Sequence, residues 1–401
     1  MRMISGSHEN QARLFFILEI INCLCYFAPL SFIAIFLYDI KHLGKVEVGL
    51  VMLLGIWASR FSRILLAPLI DKIRVNLLVS GLQLLGAIGY LLITDSDPHV
   101  FISIFLISIC YGNNSMLIRV LINQINSPAS LNKRFAILHV ATNIAAMFGP
   151  LLFNMIALYS NITYALKATA LTLVFSSVYS YLSLSNSNIP KQESYFKNIK
   201  LLLTHNELLK VYSLIIIAYF FYAQIFSLAP ILMANTYGLK SYIWVIGFSN
   251  SLVAVLFSIK INVFFHKRMS IYAQLTSGFI FAILGFSVLI YLNNPLGIIG
   301  GVILISLAEI AFIPGFQVIL SQKTLPDQKV AIFAINALCM GIGEGIGQYY
   351  GVLTGLGQIN SYSVAIIYCI LILGIYLSLT LKQSNSLTTN NRKAVKLLRK
   401  S

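Results

Sequence analysis

The sequence predicts an all-α membrane protein with twelve transmembrane helices arranged as two groups of six. Of its 401 residues, 58% are hydrophobic and only 10% are charged, whereas a soluble protein carries about 25% charged residues. The apolar residues recur in runs of about 20, long enough to cross a hydrocarbon core of about 30 Å. A single long polar interval, 185–211, separates the sixth run from the seventh.

The apolar runs define the predicted spans, which we number 1 to 12 in chain order. The first run is long and lacks an A-x-A cleavage site, so we interpret it as span 1 and not as a removable signal peptide. An even number of spans places both termini on the same side of the membrane. The predicted spans are residues 14–38, 47–69, 77–94, 99–123, 135–160, 163–184, 212–236, 242–265, 271–292, 296–320, 329–354 and 361–381.

The polar interval divides the chain into four predicted units. We expect residues 1–184 to form an N-terminal six-helix bundle and residues 212–381 to form a C-terminal six-helix bundle. Residues 185–211 are a predicted cytoplasmic linker, in which YFKNIKLLL has the amphipathic pattern of a helix that lies on the membrane surface. The last segment, 382–401, is a predicted basic cytoplasmic tail.

Basic residues are concentrated on one side of the membrane. The formal net charge is +16, and 20 of the 28 lysines and arginines fall on the side that carries both termini. Only Lys41, Lys45 and Lys240 fall in loops on the opposite side. This asymmetry is the positive-inside bias, which places the termini in the cytoplasm. The charge therefore indicates topology and attraction to anionic lipid headgroups, and we expect no binding of nucleic acid.

The loop after span 2 carries one acid and two bases within a few residues. In the stretch SRFSRILLAPLIDKIRVN, residues 59–76, the chain leaves the membrane through Asp71, Lys72 and Arg74. This loop resembles the one between helices 2 and 3 of the major facilitator superfamily, whose usual pattern is G-x-L-A-D-R-x-G-R-K. Ala67 and Arg74 stand where that pattern has glycine. The resemblance implies that the loop acts in gating.

Glycine and proline mark two of the spans. In span 5, Gly149 and Pro150 resemble the glycine–proline element of antiporter members of this superfamily, although Phe153 stands where those proteins often have a second glycine. Span 11 contains GIGEGIGQYYG, whose glycines recur every four residues and allow a neighbouring helix to approach the backbone closely. We therefore predict that span 11 lies in a tight contact between helices.

Eight ionisable residues fall inside the predicted spans. Each needs a partner or a water-filled cavity, because a charge at the centre of a span costs about 2.5–3.5 kcal/mol. Lys167 and Lys260 lie near span ends, and we interpret them as reaching the membrane surface. Arg63 either reaches the membrane surface too or pairs with Asp71. The candidates for carrying a coupled proton are Glu19, Glu309 and Glu344, and the candidates for their charge partners are Arg119 and Arg60.

Glu19 and Arg119 lie at similar predicted depths. Glu19 is about five residues into span 1, or roughly 8 Å at helical rise, and Arg119 lies a similar distance before the cytoplasmic end of span 4. A structural ion pair and a protonation switch both agree with this pattern. For Glu309 in span 10 and Glu344 in span 11, the alternatives are a role toward protons or a cationic substrate, and hydrogen bonding between helices.

An aromatic stripe occupies one face of span 7. Tyr219, Tyr222 and Phe226 recur at spacings of three and four, which places their rings on the same side of a helix. Such a stripe is typical of helix packing or lipid contact. In a transport cavity it would instead suit a flat amphipathic or cationic ligand.

The sequence carries no motif of a soluble enzyme. All five cysteines fall in apolar spans without the spacing of metal ligands, so no metal site is predicted. The sequence has no P-loop GxxxxGKS/T, no GxSxG and no HExxH. We therefore predict a protein that is neither an enzyme nor an ATP-driven pump and that uses no cofactor.

Together these features resemble the twelve-helix bacterial drug:proton antiporters of the major facilitator superfamily, the multidrug exporters. The resemblance implies a substrate site between two six-helix bundles near the bilayer midplane, in a monomer of the bacterial inner (plasma) membrane. It implies proton-coupled efflux of a small amphipathic or cationic molecule, with protons and the lipid bilayer as further partners. In such exporters a membrane carboxylate of the N-terminal half couples the proton, and Glu19 matches that position.

Two other functions agree with the same residues. A proton-coupled importer, or a siderophore or metabolite transporter, would share the fold and differ in the direction of flux. A membrane sensor that does not transport would show no flux at all.

Overall fold

The structure of the chain is a computed structural model that describes residues 8–66, 72–94, 99–123, 128–184, 195–292, 294–324, 328–357, 364–365 and 368–380. Within these ranges the regular structure is entirely helical. We number the helices α1 to α14. The near side is the membrane side on which α1 begins, and the far side is the one on which α1 ends.

The described helices follow the order of the predicted spans, with one helix added in the linker and one span divided in two. Their bounds are α1 His8–Ile35, α2 Lys45–Leu66, α3 Val75–Leu92, α4 Val100–Asn123, α5 Pro128–Tyr159, α6 Ile162–Ser183, α7 Tyr195–Leu203, α8 Asn206–Tyr222, α9 Leu228–Ile231, α10 Trp244–Arg268, α11 Ile271–Tyr291, α12 Pro295–Gln322, α13 Lys329–Leu356 and α14 Tyr368–Thr380.

Ten helical segments among the described residues are long and apolar enough to cross a membrane. Two more helices complete the predicted set. The 22 residues of α2 include Arg60 and Arg63, which lower its hydropathy, and α14 corresponds to span 12 but is described only over Tyr368–Thr380. The prediction of an all-α membrane protein with twelve spans is therefore confirmed.

Spans 1, 5 and 7 differ most from the structure: α1 begins at His8 and α5 at Pro128, six and seven residues earlier than predicted. Span 1 continues past residue 38 through a π-helical turn, Phe36–Ile40. Span 7 begins at Asn206, and its helix α8 ends at Tyr222; a 3₁₀ turn, the short α9 and a π-helical turn, Leu232–Thr236, complete the crossing. Hydropathy detects the apolar run of span 7 but not its interruption, because the helices that end at Tyr222 and begin at Leu228 are both apolar.

The helices before the linker pack on one another. α1 contacts α4, α5 and α6, and α3 contacts α4 and α6. On the near side these helices share an apolar core of their own, to which α1 contributes Phe15 and Leu18, α3 contributes Val79, and α4 contributes Ile118. The near-side ends of the first group are therefore held together by their own side chains.

The helices after the linker form a second packed group. α11 packs along α12, α8 packs against α12 and α13, and α10 packs against α12. α14 lies against α11, where the hydroxyls of Thr276 and Ser378 are 2.8 Å apart. The linker helix α7 lies beside the start of this group, because the Tyr212 hydroxyl of α8 donates to the Leu202 carbonyl of α7 at 3.2 Å.

The two groups meet from mid-depth to the far side. α2 packs along α13, and α5 packs against α10. On the far side, Asp39 after α1 and Lys240 before α10 form an ion pair at 2.6 Å, and Asn154 of α5 donates to the Ser241 carbonyl at 3.0 Å. A single large apolar core includes residues of both groups. The far side is therefore closed, whereas the near-side core of the first group is separate.

The glycine-rich helix α13 lies between α2 and α8. A Cβ atom added to Gly343 would collide with the Ile216 carbonyl of α8, and one added to Gly345 would lie 2.7 Å from Trp57 Nε1 of α2. Only glycine permits both approaches at once. The tight helix contact predicted for span 11 is therefore present, and it joins the two groups of helices.

Candidate functional site

At mid-depth, an ion pair connects the two groups of helices. Arg60 Nη2 of α2 and Glu344 Oε2 of α13 lie 2.7 Å apart, and the two side chains are 17% and 9% exposed. The aliphatic stem of Arg60 lies directly over Gly341, where an added Cβ would come within 2.5 Å of Arg60 Cγ. The glycine therefore lets the arginine cross onto α13 and reach the carboxylate.

Three tyrosines surround this pair. Tyr111 of α4 and Tyr219 of α8 lie close to the Arg60 guanidinium, and Tyr26 of α1 lies close to both Arg60 and Glu344. The rings of Tyr26 and Tyr111 are stacked, with centroids 3.7 Å apart and planes 5° from parallel. The ion pair thus has tyrosine rings from both groups of helices in its neighbourhood.

Arg63 lies one turn from Arg60 along α2 and belongs to the same site. It lies close to Arg60 and Tyr111, and its Nε donates to the Ser59 carbonyl at 3.2 Å. Within the described ranges, no carboxylate lies at ion-pair distance from it. Its neighbours among the described residues are those of the central ion pair. Asp71 lies outside the described residues, so reaching the membrane surface and pairing with Asp71 both stay predictions for Arg63.

A second cluster of an acid and a base lies within the first group of helices. The Glu19 side chain of α1 is fully buried, and its Oε1 accepts a hydrogen bond from the Ser115 hydroxyl of α4 at 2.7 Å. Arg119 Nη1 lies 3.4 Å from the same oxygen and donates to the Ser115 carbonyl and hydroxyl. The structure therefore brings together the two residues that the sequence placed at similar depths.

Exposure differs sharply between the two members of this cluster. Arg119 is 44% exposed, whereas Glu19 is fully buried, and Glu19 Oε2 has no hydrogen-bond partner among the described residues. Arg119 lies close to His139 of α5, which is also exposed. The base is thus the exposed member of this cluster and the acid is the buried one.

The third candidate carboxylate, Glu309 of α12, has a different setting. It lies beside the Tyr222 hydroxyl at the end of α8, and Tyr222 lies beside Asn250 of α10. Asn250 Oδ1 in turn accepts a hydrogen bond from Ser306 at 2.7 Å. Glu309 Oε2 has no hydrogen-bond partner in the part of the chain that the structure describes. This acid is therefore partnered by neutral groups and not by an arginine.

The predicted aromatic stripe forms a connected row of rings. The centroids of Tyr219 and Tyr222 are 5.8 Å apart, and those of Tyr222 and Phe226 are 5.4 Å apart. Phe226 continues the row to Phe27 of α1 at 6.4 Å, and Phe27 contacts Tyr111 at 5.8 Å. The row reaches both Glu309 and the rings around the central ion pair. That the stripe lines a substrate cavity stays a prediction.

The glycine–proline element of span 5 lies at a crossing of three helices. A Cβ added to Gly149 would lie 3.1 Å from the backbone nitrogen of Ala28 in α1, and one added to Gly247 in α10 would lie 3.3 Å from Pro150 Cγ. The pair therefore lets α5 pack closely on one helix from each group. Its role in antiport stays a prediction.

The predicted gating loop is only partly described. Lys72 and Arg74 are exposed on the near side just before α3. Asp71 lies outside the described residues, so its predicted partners stay untested.

Sequence reasoning missed the neutral residues around the candidate carboxylates. Ser115 bridges Glu19 and Arg119, and Gln348 of α13 is fully buried with neither side-chain atom partnered among the described residues. A signal was present, because each lies four residues from a charged residue of its own helix and so shares its face. Within the described ranges, no group of three or more His, Cys, Asp or Glu side chains could hold a metal ion.

Comparison with known proteins identifies the family. The sequence matches the family model described as the Major Facilitator Superfamily over residues 15–348. The chain belongs to the major facilitator superfamily. A search among curated proteins finds no match. Because the chain belongs to this superfamily, the protein is an integral membrane transporter and not an enzyme.

Solved structures of several transporters have a similar fold. A POT family transporter in complex with 5-aminolevulinic acid has 14% sequence identity and a TM-score of 0.73, covering 93% of this chain and 95% of its own. The nucleoside transporter NupG has 14% identity and a TM-score of 0.73, covering 93% and 99%. The POT family transporter PepTSo has 11% identity and a TM-score of 0.75, covering 95% and 98%. At these identities the likeness establishes the fold alone.

Proposed function

We propose that this superfamily member exchanges protons for a small amphipathic or cationic molecule and moves that molecule out of the cytoplasm by alternating access. The observation that carries the proposal is Glu19, a fully buried carboxyl that lies 3.4 Å from Arg119, whose side chain is 44% exposed. A buried carboxylate needs either a charge partner or a proton. Arg119 supplies the charge partner, and its exposed side offers a path by which a proton can reach Glu19.

Proton binding at Glu19 would change the charge of the cluster without moving a helix. While Glu19 is ionised, Arg119 is held against it through Ser115. Once Glu19 is protonated, that attraction weakens, and the Arg119 guanidinium is free to turn away from Glu19. A cationic ligand and a proton then compete for the same carboxylate, and such competition is the thermodynamic linkage that exchange requires.

Alternating access is supported by the way the two groups of helices meet. Contacts such as the Asp39–Lys240 ion pair close the far side, while the near-side core of the first group stands apart. The opposite state requires these far-side contacts to separate and the near-side ends to approach. Arg60 and Glu344 lie on the two faces that move relative to each other, at the depth where transporters of this kind bind substrate.

Export is the direction favoured by the sequence, through the resemblance of Gly149 and Pro150 to the antiporter element. Import by proton symport would use the same contacts. The two directions differ in their response to a proton gradient, which makes them separable in membrane vesicles of defined orientation.

The test uses inverted membrane vesicles from cells that produce the full chain, with ethidium as a flat amphipathic cation. An acidic lumen should drive accumulation of ethidium in the lumen, because protons leaving the vesicle exchange for the cation. Vesicles that instead release preloaded ethidium when the lumen is acidic would indicate an importer. No movement of ethidium in either protocol would contradict the proposed substrate class.

Glu19→Gln tests the coupling residue in the same vesicles. Glutamine keeps the shape of the protonated acid but cannot release a proton, so accumulation driven by the pH gradient should be abolished. Glu47→Gln makes the same chemical change at an exposed acid near the start of α2 and should transport normally. If vesicles that contain the Glu19→Gln variant still accumulate ethidium when a pH gradient is applied, Glu309 becomes the better candidate for the proton carrier.

A further inference from the structure

A small cavity lies on the far side of the Arg60–Glu344 pair. Its wall comes from α1, α2, α3, α4 and α13 and is mainly apolar, with Ile33, Met52 and Ile104 as typical members. The cavity volume is about 40 Å³, counted as space open to the centre of a water molecule, whereas about 10–15 Å³ holds one water. The cavity therefore accepts a group of several heavy atoms.

One polar side chain in this wall has no partner. Gln348 of α13 lines the cavity and is fully buried, and both its Nε2 and its Oε1 are without a hydrogen-bond partner among the described residues. A carboxamide offers two donor hydrogens and an acceptor oxygen. Another polar group of the wall is already satisfied, because the Tyr90 hydroxyl donates to the Cys25 carbonyl at 2.7 Å. Gln348 is therefore a group of this wall whose hydrogen-bonding capacity is unused among the described residues.

The cavity is adjacent to the candidate site. Tyr26 lines the cavity and also lies close to Arg60 and Glu344, so one ring belongs to both. Gln348 lies one helical turn from Glu344 on α13, or about 6 Å at helical rise. A molecule with a charged part near Glu344 thus needs an arm of only a few bonds to reach Gln348.

We propose that this cavity, which we call the Gln348 pocket, holds an uncharged arm of the transported molecule that ends in a carboxamide or a similar donor–acceptor group. The inference rests on the proposed transport function and specifies its substrate class. The arm would pair with the Gln348 carboxamide, while its aliphatic part packs on the apolar wall. The charged part of the molecule would stay among the arginines and carboxylates at mid-depth.

The chemistry of the pocket discriminates among possible end groups. An alkyl end would fill the space but leave the Gln348 donors and acceptor unpaired, which costs binding free energy. A carboxylate end could accept from Nε2 but would bring a charge into an apolar wall and offer Oε1 no hydrogen. A neutral group with both a donor and an acceptor pairs with Oε1 and with one Nε2 hydrogen of Gln348 at the same time.

The test compares two pairs of compounds of nearly equal shape. In the cationic pair, 6-aminohexanamide is compared with 6-methylheptylamine; in the zwitterionic pair, glutamine is compared with 2-amino-5-methylhexanoic acid. Within each pair a terminal carboxamide is replaced by an isopropyl group. Affinity is read from the rise in unfolding temperature of the full chain in detergent as each compound is titrated.

In the wild-type protein, the carboxamide member of at least one pair should bind tighter than its isopropyl counterpart, on the order of tenfold. Gln348→Leu should abolish that preference, because the wall then contains no unpaired polar group. Asn336→Leu, a matched change of a buried polar residue on the same helix, should keep it. Gln348→Met serves as a second variant should the leucine variant fail to fold.

Three results would overturn the proposal. They are equal or tighter binding of the isopropyl member in both pairs, no binding of any of the four compounds, and a carboxamide preference that survives in the Gln348 variants. The binding measurement needs neither a proton gradient nor a direction of flux. If ethidium is not transported but the carboxamide preference is present, the proposed exporter function is wrong and the proposed ligand of the Gln348 pocket is retained.

Discussion

The two clusters of arginine and glutamate differ in what they connect. Glu19 and Arg119 belong to α1 and α4, which pack within one group of helices, and the arginine of this cluster is 44% exposed. Arg60 and Glu344 belong to α2 and α13, which lie on opposite sides of the contact between the groups, and both side chains are largely buried. The same chemical pair thus occurs once within one group of helices and once across the contact between the two groups.

We propose that the two pairs have different tasks. A pair inside one group can change its protonation while the helices stay in place, which suits the binding and release of a proton. A pair across the groups must break or rearrange whenever the groups rock, so it contributes to the stability of one conformation over the other. The predictions below test this division of tasks, beginning with the largest expected effect.

The largest effect is expected at the pair that crosses the groups. Glu344→Gln leaves the buried Arg60 without its counter-charge, and loss of one partner of a buried pair costs about 3–5 kcal/mol of unfolding free energy. The measurement is denaturant unfolding of the full chain in mixed micelles. The double variant Arg60→Leu, Glu344→Leu should recover most of the loss, because it removes both charges. If the unfolding free energy of Glu344→Gln lies within about 1 kcal/mol of the wild-type value, Arg60 and Glu344 do not form a buried ion pair.

A smaller effect is expected at the pair inside the first group. Arg119→Leu leaves the buried Glu19 carboxylate without a cation, which should cost about 2–3 kcal/mol of unfolding free energy in the same measurement. Glu19→Gln in the same protein should remove most of this cost, because the side chain that needs the cation is then neutral. If Arg119→Leu costs the same unfolding free energy with and without Glu19→Gln, the two residues do not act as a charge pair.

The smallest change in stability is expected at the far-side pair. Lys240 and Asp39 are 58% and 27% exposed, so Asp39→Asn should alter the unfolding free energy by at most about 1 kcal/mol. It should nevertheless favour opening of the far side, because the ion pair joins the two groups. The readout is faster labelling of Leu37→Cys by a membrane-impermeant maleimide added outside intact cells, since Leu37 is fully buried in the closed form.

The native cysteines can also react with the maleimide. Labelling of the protein without Leu37→Cys measures this background. An unchanged labelling rate in Asp39→Asn would contradict a role of the ion pair in closure. Labelling of Leu37→Cys only from the cytoplasmic face would instead overturn the predicted orientation of the spans.

Much of the fold was predictable because hydropathy and helix length are local properties of the chain. The twelve spans, the amphipathic α7 and the tight contact of α13 each follow from residues close together in sequence. Hydropathy did not show the break in span 7, because Tyr222 and Leu228 on its two sides both belong to apolar helices. The sequence signal for it is Pro230 of α9, whose nitrogen has no hydrogen to donate within a helix.

The sequence by itself determined that eight charges lie inside apolar spans and that each requires a partner or water. Only the tertiary structure decided the pairing, because an ion pair such as Arg60 with Glu344 joins residues 284 positions apart. Whether two such residues meet depends on how each helix is rotated and on its axial position against its neighbour. Those quantities are decided by side-chain packing between helices, as where Gly341 makes room for Arg60. The unpartnered amide of Gln348 arises in the same way, because only packing of five helices encloses the cavity that it lines.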